Sequence, residues 1–271
     1  MSIPDEEAEI EASKAPLLEH LIELRKRIVY SLLAFAVAFA ICFYFAKPIY
    51  GFLTEPLAHA LAGHPNNHLI YTALYETFFT YMKVGLFAGM CLAFPVIAAQ
   101  IWLFVAPGLY RKERRAFLPF LIASPVLFLI GASFVFYVML PFAIRFLTGF
   151  QTLTAGNVMG IELQARVGDY LDFVTVLIFA FGLTFQLPVL LSLLGKVGIV
   201  TVKGLREMRK FAYVGMFAIA AIFTPPDAFS MLSLAIPLVL LYEISIFSVM
   251  LIERGKARED AERAAKNVVP G

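Results

Sequence analysis

Apolar residues gather in six runs, Ile28–Ala46, Phe79–Val105, Phe117–Leu140, Tyr170–Leu194, Phe211–Phe223 and Phe229–Ile252, and the segments between them hold nearly all of the charge. A membrane-crossing helix needs about 20 apolar residues, at roughly 1.5 Å each, to pass a hydrocarbon core of about 30 Å. Five runs meet that length. The fifth in order, Phe211–Phe223, is 13 residues long and would reach roughly 20 Å before Thr224-Pro225-Pro226 stops it. It is either a re-entrant segment or a short span in a locally thinned bilayer with tilted neighbours.

The distribution of cations favours the span. Lys and Arg number 4 before the first run, then 1, 4, 2, 5, 0 and 5 in the following segments, with Lys83 alone just inside the second run. Alternate segments therefore hold 18 against 3. Such segregation is the positive-inside pattern, and it predicts six crossings with both ends in the cytoplasm. The resulting organisation is a cytoplasmic segment over 1–27, a six-span membrane domain over 28–252 and a cytoplasmic tail over 253–271. The tail, of mixed charge, is expected to extend as a frayed helix.

Composition agrees with lipid as part of the solvent: 61% of residues are hydrophobic, 15% are charged, and the mean hydropathy is +0.81. Asp5, Glu6, Glu7, Glu9 and Glu11 stand where a secretory signal would carry cations, so the first run is expected to stay as an anchor. Cys42 and Cys91 lie inside apolar runs and read as small buried hydrophobes.

The predicted fold class is an all-α integral membrane protein, a bundle of six helices bent into a concave body with an external cap. Pro95, Pro119, Pro125, Pro188 and Pro237 lie in or near the runs, where they bend helices and free carbonyls. Between the first two spans, Ile49, Tyr50, Phe52, Leu53, Leu57 and Leu61 recur at roughly helical spacing. They predict an amphipathic helix on the outer membrane surface, followed by a polar turn at Gly63-His64-Pro65-Asn66-Asn67. Gly149, Gly156 and Gly160 break any long helix in the second external segment. Thr224 to Ala228 is a tight external turn through Pro225, Pro226 and Asp227. Gly85 and Gly89 form a GxxxG, a common packing device and weak evidence for a dimer.

Enzyme signatures are missing. His59, His64 and His68 are spaced by 5 and 4 with no acidic partner between them, which fits a solvated loop better than a metal site. No cofactor, metal or nucleic acid is expected. Among the carboxylates, Glu243 lies well inside a predicted span, where it is either functional or hydrogen-bonded to a neighbouring helix. Gln186, in the inner half of the fourth span, is able to bond across to another helix. Two cytoplasmic clusters each set one carboxylate among cations: His20 to Arg27 around Glu23, and Phe104 to Arg115 around Glu113. The cations fix topology on one reading. On the other, Glu23 and Glu113 receive a cationic ligand, and two such carboxylates suit a pair of arginines, because a guanidinium meets a carboxylate through two parallel hydrogen bonds.

The string His20-Leu21-Ile22-Glu23-Leu24-Arg25 resembles the N-terminal motif of the TatC family, the central membrane component of twin-arginine protein translocases. The likeness continues through Phe104 to Arg115, Ser124-Pro125, Phe134 to Pro141, Thr224-Pro225-Pro226-Asp227 with Phe229-Ser230, Ala235-Ile236-Pro237 and Tyr242-Glu243. The resemblance implies a receptor and scaffold in the bacterial inner membrane that binds twin-arginine signal peptides and exports folded proteins with the proton-motive force. It places Glu23, Arg25, Phe104, Pro107, Leu109, Tyr110, Glu113 and Arg114 at the peptide site. The implied partners are single-span subunits of the TatB and TatA type docking along spans five and six, further copies of the chain, and lipid. The family usually has a glutamate in the fourth span where this chain has Gln186-Leu187-Pro188, so a mechanism needing charge there is in doubt. A proton-coupled small-solute transporter using Glu243 with Asp169 or Asp172 is the alternative.

Overall fold

The computed structural model describes residues 3–62, 68–105, 118–151, 163–224 and 228–267, and its regular structure among them is helical. Helix α1 covers Ile3–Tyr44, α2 Ala46–Ala60 and α3 Glu76–Val105. Helix α4 (Leu118–Phe134) passes through a five-residue π-helical segment, Val135–Met139, into α5 (Leu140–Thr148). Then follow α6 (Val167–Thr184), α7 (Leu187–Val197), α8 (Val202–Glu207), α9 (Arg209–Phe223) and α10 (Ala228–Asn267).

Five stretches are long and apolar enough to cross a membrane: His20–Tyr44, Glu76–Phe104, Pro119–Thr148, Val167–Val197 and Met231–Arg258. Helix α9, with 15 residues, is roughly 22 Å long and falls short of a full core. The third crossing runs on past its apolar run to Thr148, where Gly149 caps it. Pro141 brings no N–H to the ladder, and the turn before it widens, with the Leu140 amide reaching back to the Val135 carbonyl.

The fourth apolar run is not one helix. It breaks at Phe185 and Gln186, because Pro188 opens the next helix and its ring and missing N–H end the preceding ladder. Pro95, Pro125 and Pro237 lie inside α3, α4 and α10. The chain after Glu253 remains helical to Asn267.

The interior forms around Val84, Val135, Leu140, Val174, Phe181, Leu234, Leu238 and Val249, each at most 1% exposed. Small residues let helices close up. A Cβ on Gly89 would stand 2.8 Å from the Phe39 Cα, and one on Gly85 3.1 Å from the Phe43 Cα. The GxxxG thus seats α1 on α3 within one chain. Only 11% of the first span is buried, so α1 lies at the edge of the bundle. Leu32, Leu33, Val37, Val214, Ile222 and Leu240 stay exposed, an apolar surface suited to acyl chains.

The face opposite the chain ends carries a cap. Helix α2 buries Leu53, Pro56 and Leu57, and the Tyr170 hydroxyl donates to the Leu53 carbonyl at 2.9 Å. Ile70 and Arg166 form a single parallel bridge. The Glu76 carboxylate accepts from the amides of Thr72 and Ala73 at the head of its own helix, and from Gly168 at the head of α6. The predicted turn over 63–67 and the external turn Pro225, Pro226 and Asp227 lie outside the described residues.

Candidate functional site

The face that carries the chain ends is built from the start of the first span and the end of α3. Positions 20, 23 and 27 share one side of α1, and positions 100 and 104 share one side of α3. These sides meet. The His20 imidazole stacks on Phe104, with centroids 4.4 Å apart and planes 22° from parallel. Arg27 donates one nitrogen to Gln100 Oε1 at 3.1 Å and another to Glu23 Oε1 at 3.0 Å. One residue of α3 therefore orients the arginine that orients the carboxylate.

Glu23 and Arg27 remain 33% and 26% exposed, so the carboxylate is reachable by a ligand. A groove of about 400 Å³ runs beside it, lined by Ile22, Glu23, Lys26, Arg27 and Tyr30. Lys26 stands 5.9 Å over the Tyr30 ring. An i,i+4 pair at a wet surface contributes about 0.3–0.5 kcal/mol. A hydrogen bond to a charged group is worth about 1.5–3 kcal/mol. The Glu23–Arg27 pair is thus a weak one, and Gln100 gives Arg27 a second acceptor that does not depend on it.

Arg25 points elsewhere. Two positions along a helix are about 200° of turn, and its exposed side chain does not share the Glu23 side. Phe104 is brought to the site. Pro107, Leu109, Tyr110, Glu113 and Arg114 fall in the connection over 106–117, outside the described residues. Gln100 is the residue that sequence reasoning missed; its signal is an amide in an apolar run, one turn before Phe104.

Two polar clusters lie deeper. Gln186 sits at the α6–α7 break, donates to the Ser124 carbonyl at 2.9 Å and accepts from the Ser124 hydroxyl at 2.5 Å. Both ends of its amide thus tie the fourth crossing to the third, as expected for a residue bonding across to another helix. Glu243 of α10 accepts from Arg209 at 2.6 Å and from the Tyr213 hydroxyl at 2.6 Å. Arg209 and Tyr213 are one turn apart on α9, so a single carboxylate clamps the short helix to α10. Of the two readings of Glu243, this is the hydrogen-bonded contact with a neighbouring helix. The Arg209 Nε is buried without an acceptor among the described residues.

A third pair had no sequence signal beyond two charges: Lys83 of α3 meets Asp172 of α6 at 2.7 Å, each 53% exposed. Among the described residues, no group of three or more His, Cys, Asp or Glu could hold a metal. Cys42 and Cys91 are free thiols.

Comparison with known proteins supplies relatives. Residues 19–237 match the family model described as Sec-independent protein translocase protein (TatC). The chain is 49% identical over 253 residues to the Sec-independent protein translocase protein TatC of Magnetococcus marinus, covering 93% of this chain and 90% of that protein. It is 39% identical over 246 residues to the protein of the same name from Escherichia coli strain K12, covering 90% and 92%. A crystal structure titled as the twin arginine translocase receptor TatC superposes with a TM-score of 0.74 at 39% identity, over 86% of this chain and 99% of that one.

Proposed function

The chain belongs to the TatC family, and from that premise we propose that its Glu23 face is the reception site for twin-arginine signal peptides. It is a membrane-embedded subunit of the Tat translocase, a transport component and not an enzyme, with the six-helix fold of its family. Family membership sets aside the solute-transporter reading. The carboxylates which that reading would use are engaged: Glu243 with Arg209, Asp172 with Lys83, and Asp169 at 3.9 Å from Arg166.

The observation that carries the proposal is the state of Glu23. It is a third exposed, lies beside a groove, and is held by an arginine that α3 can retain when the carboxylate changes partner. One guanidinium of the peptide pairs with Glu23 and the next with Glu113. Phe104, Pro107, Leu109 and Tyr110 supply the apolar surroundings and Arg114 a flanking cation, while Arg25, on another side of α1, takes no part. Both chain ends lie in the cytoplasm, which turns this face toward newly made precursors; the cation distribution supports that orientation.

Single-span subunits of the TatB and TatA type dock along α9 and α10, where the short α9 thins the bilayer, and further copies of the chain complete the complex. Glu243 holds α9 to α10, the helices those partners meet, while Gln186 ties the fourth crossing to the third. Export of folded proteins then draws on the proton-motive force.

The test is binding of a twin-arginine peptide and its twin-lysine counterpart to the full chain, wild type and Glu113→Ala. Wild type is expected to prefer arginine, and loss of Glu113 to weaken binding by about 2 kcal/mol. Equal binding of the two peptides by wild type overturns the proposal.

A further inference from the structure

On the cap, between α2 and the π-helical segment with α5, lies a cavity of about 400 Å³ lined by Glu55, Pro56, His59, Phe136, Tyr137 and Arg145. Its floor is aromatic. Phe136 is 6% exposed and stacks on Phe52 with centroids 4.3 Å apart and planes 12° from parallel. Tyr137 stands at right angles to Phe136 and is 67% exposed. The widened turn before Pro141 places these two rings side by side at the cavity, and π-helical insertions of this kind recur at functional sites.

The rim is charged, with both signs present. Arg145, in the last turn of α5, is exposed and its guanidinium finds no acceptor among the described residues. Among the described residues Glu55 meets only the His59 Nε2, at 3.5 Å, and those side chains are 55% and 78% exposed, so the carboxylate is open to another partner. The height of the cavity is set by the spans. Helix α2 starts two residues after the first crossing ends at Tyr44, and Arg145 sits three residues before the third crossing ends at Thr148. That is the headgroup level of a bilayer.

We propose that this cavity binds the headgroup of a phosphoethanolamine lipid. The Arg145 guanidinium takes the phosphate through paired N–H donors. The Glu55 carboxylate takes the ammonium, and the acyl chains descend over exposed Tyr137, Val138 and Ile130. Charge complementarity selects this occupant. A purely anionic headgroup would leave Glu55 opposed to like charge, and a quaternary ammonium has no N–H to donate to it. A free phosphate would gain nothing from the aromatic floor. Neither the family assignment nor the peptide site enters into this inference.

The experiment uses the full chain in detergent, titrated with phosphatidylethanolamine, phosphatidylglycerol and phosphatidylcholine of matched acyl chains and read by native mass spectrometry. Water-soluble glycerophosphoethanolamine is the fourth probe. Wild type is expected to retain the ethanolamine lipid about tenfold better than the other two. Arg145→Gln should lose that retention, and Glu55→Gln should bind all three lipids alike. Both side chains are exposed, and an unchanged melting temperature verifies that each variant folds. Equal retention of the three lipids by wild type overturns the proposal, as do variants that behave like wild type. Saturation by the soluble headgroup at the lipid's own concentration overturns the assignment to lipid.

Discussion

Removing the carboxylate of Glu243 should loosen α9 from α10. Met216 and Ala220 are the buried residues of α9, and between helices in lipid the burial of apolar surface gives little net drive. The polar clamp therefore matters more here than in a soluble bundle. It comprises two hydrogen bonds of 2.6 Å to one carboxylate, one of them also an ion pair. Interhelical hydrogen bonds in membranes average about 0.6 kcal/mol and reach about 1.7. Two bonds then give roughly 1–3 kcal/mol, and the 35–40% exposure of the ion pair puts the expectation in the lower half, about 1–2 kcal/mol. The assay is a double-mutant cycle of Glu243→Leu and Arg209→Met, followed by reversible unfolding in mixed micelles. Each single variant should lose stability, with Glu243→Leu the worse because it strands a guanidinium whose Nε is already unpaired. The double variant should recover about 1–2 kcal/mol relative to the sum. Additivity within about 0.3 kcal/mol would refute the reasoning.

Gly89→Ala should destabilise by about 1–3 kcal/mol in the same unfolding assay and Gly85→Ala by less, because the nearest atom to each new methyl is α1 backbone, at 2.8 Å and 3.1 Å. Asp172→Asn and Lys83→Gln should each cost more stability than the two combined, since either alone leaves a charge unpaired at membrane depth. Gln186→Glu puts a carboxyl where one partner needs a donor, the Ser124 carbonyl at 2.9 Å. Losing that donor should cost about 1–3 kcal/mol in the same unfolding assay.

Hydrophobic patterning located five of the crossings, because a bilayer demands length and apolarity before anything else, whereas the short α9 needed the cation distribution as well. Glu23 was legible as a carboxylate among cations, and a spacing of four on a helix explains why Arg27 is the one it meets. The break at Phe185 was not legible, because Gln186 and Pro188 are both tolerated inside membrane helices. The π-helical turn at Val135–Met139 left only Pro141 as a sign. Gly85 and Gly89 announced a close helix contact but not its partner, which proved to be α1 of the same chain. The pairs Lys83–Asp172 and Arg209–Glu243 join residues 89 and 34 positions apart, and no local periodicity encodes such contacts. Arg25, grouped with Glu23 by its motif, lies on another side of the helix.

Whether Glu23 itself takes an arginine of the leader is decided by crossing both partners in one cycle. The full chain, wild type or Glu23→Gln, is titrated with peptides carrying two arginines or with either arginine replaced by citrulline, which keeps the shape and removes the charge. A coupling energy of about 1.5–3 kcal/mol between Glu23 and one specific arginine is the expected result. Additive losses at both arginines would contradict it, and would leave Glu23 as no more than the anchor of Arg27.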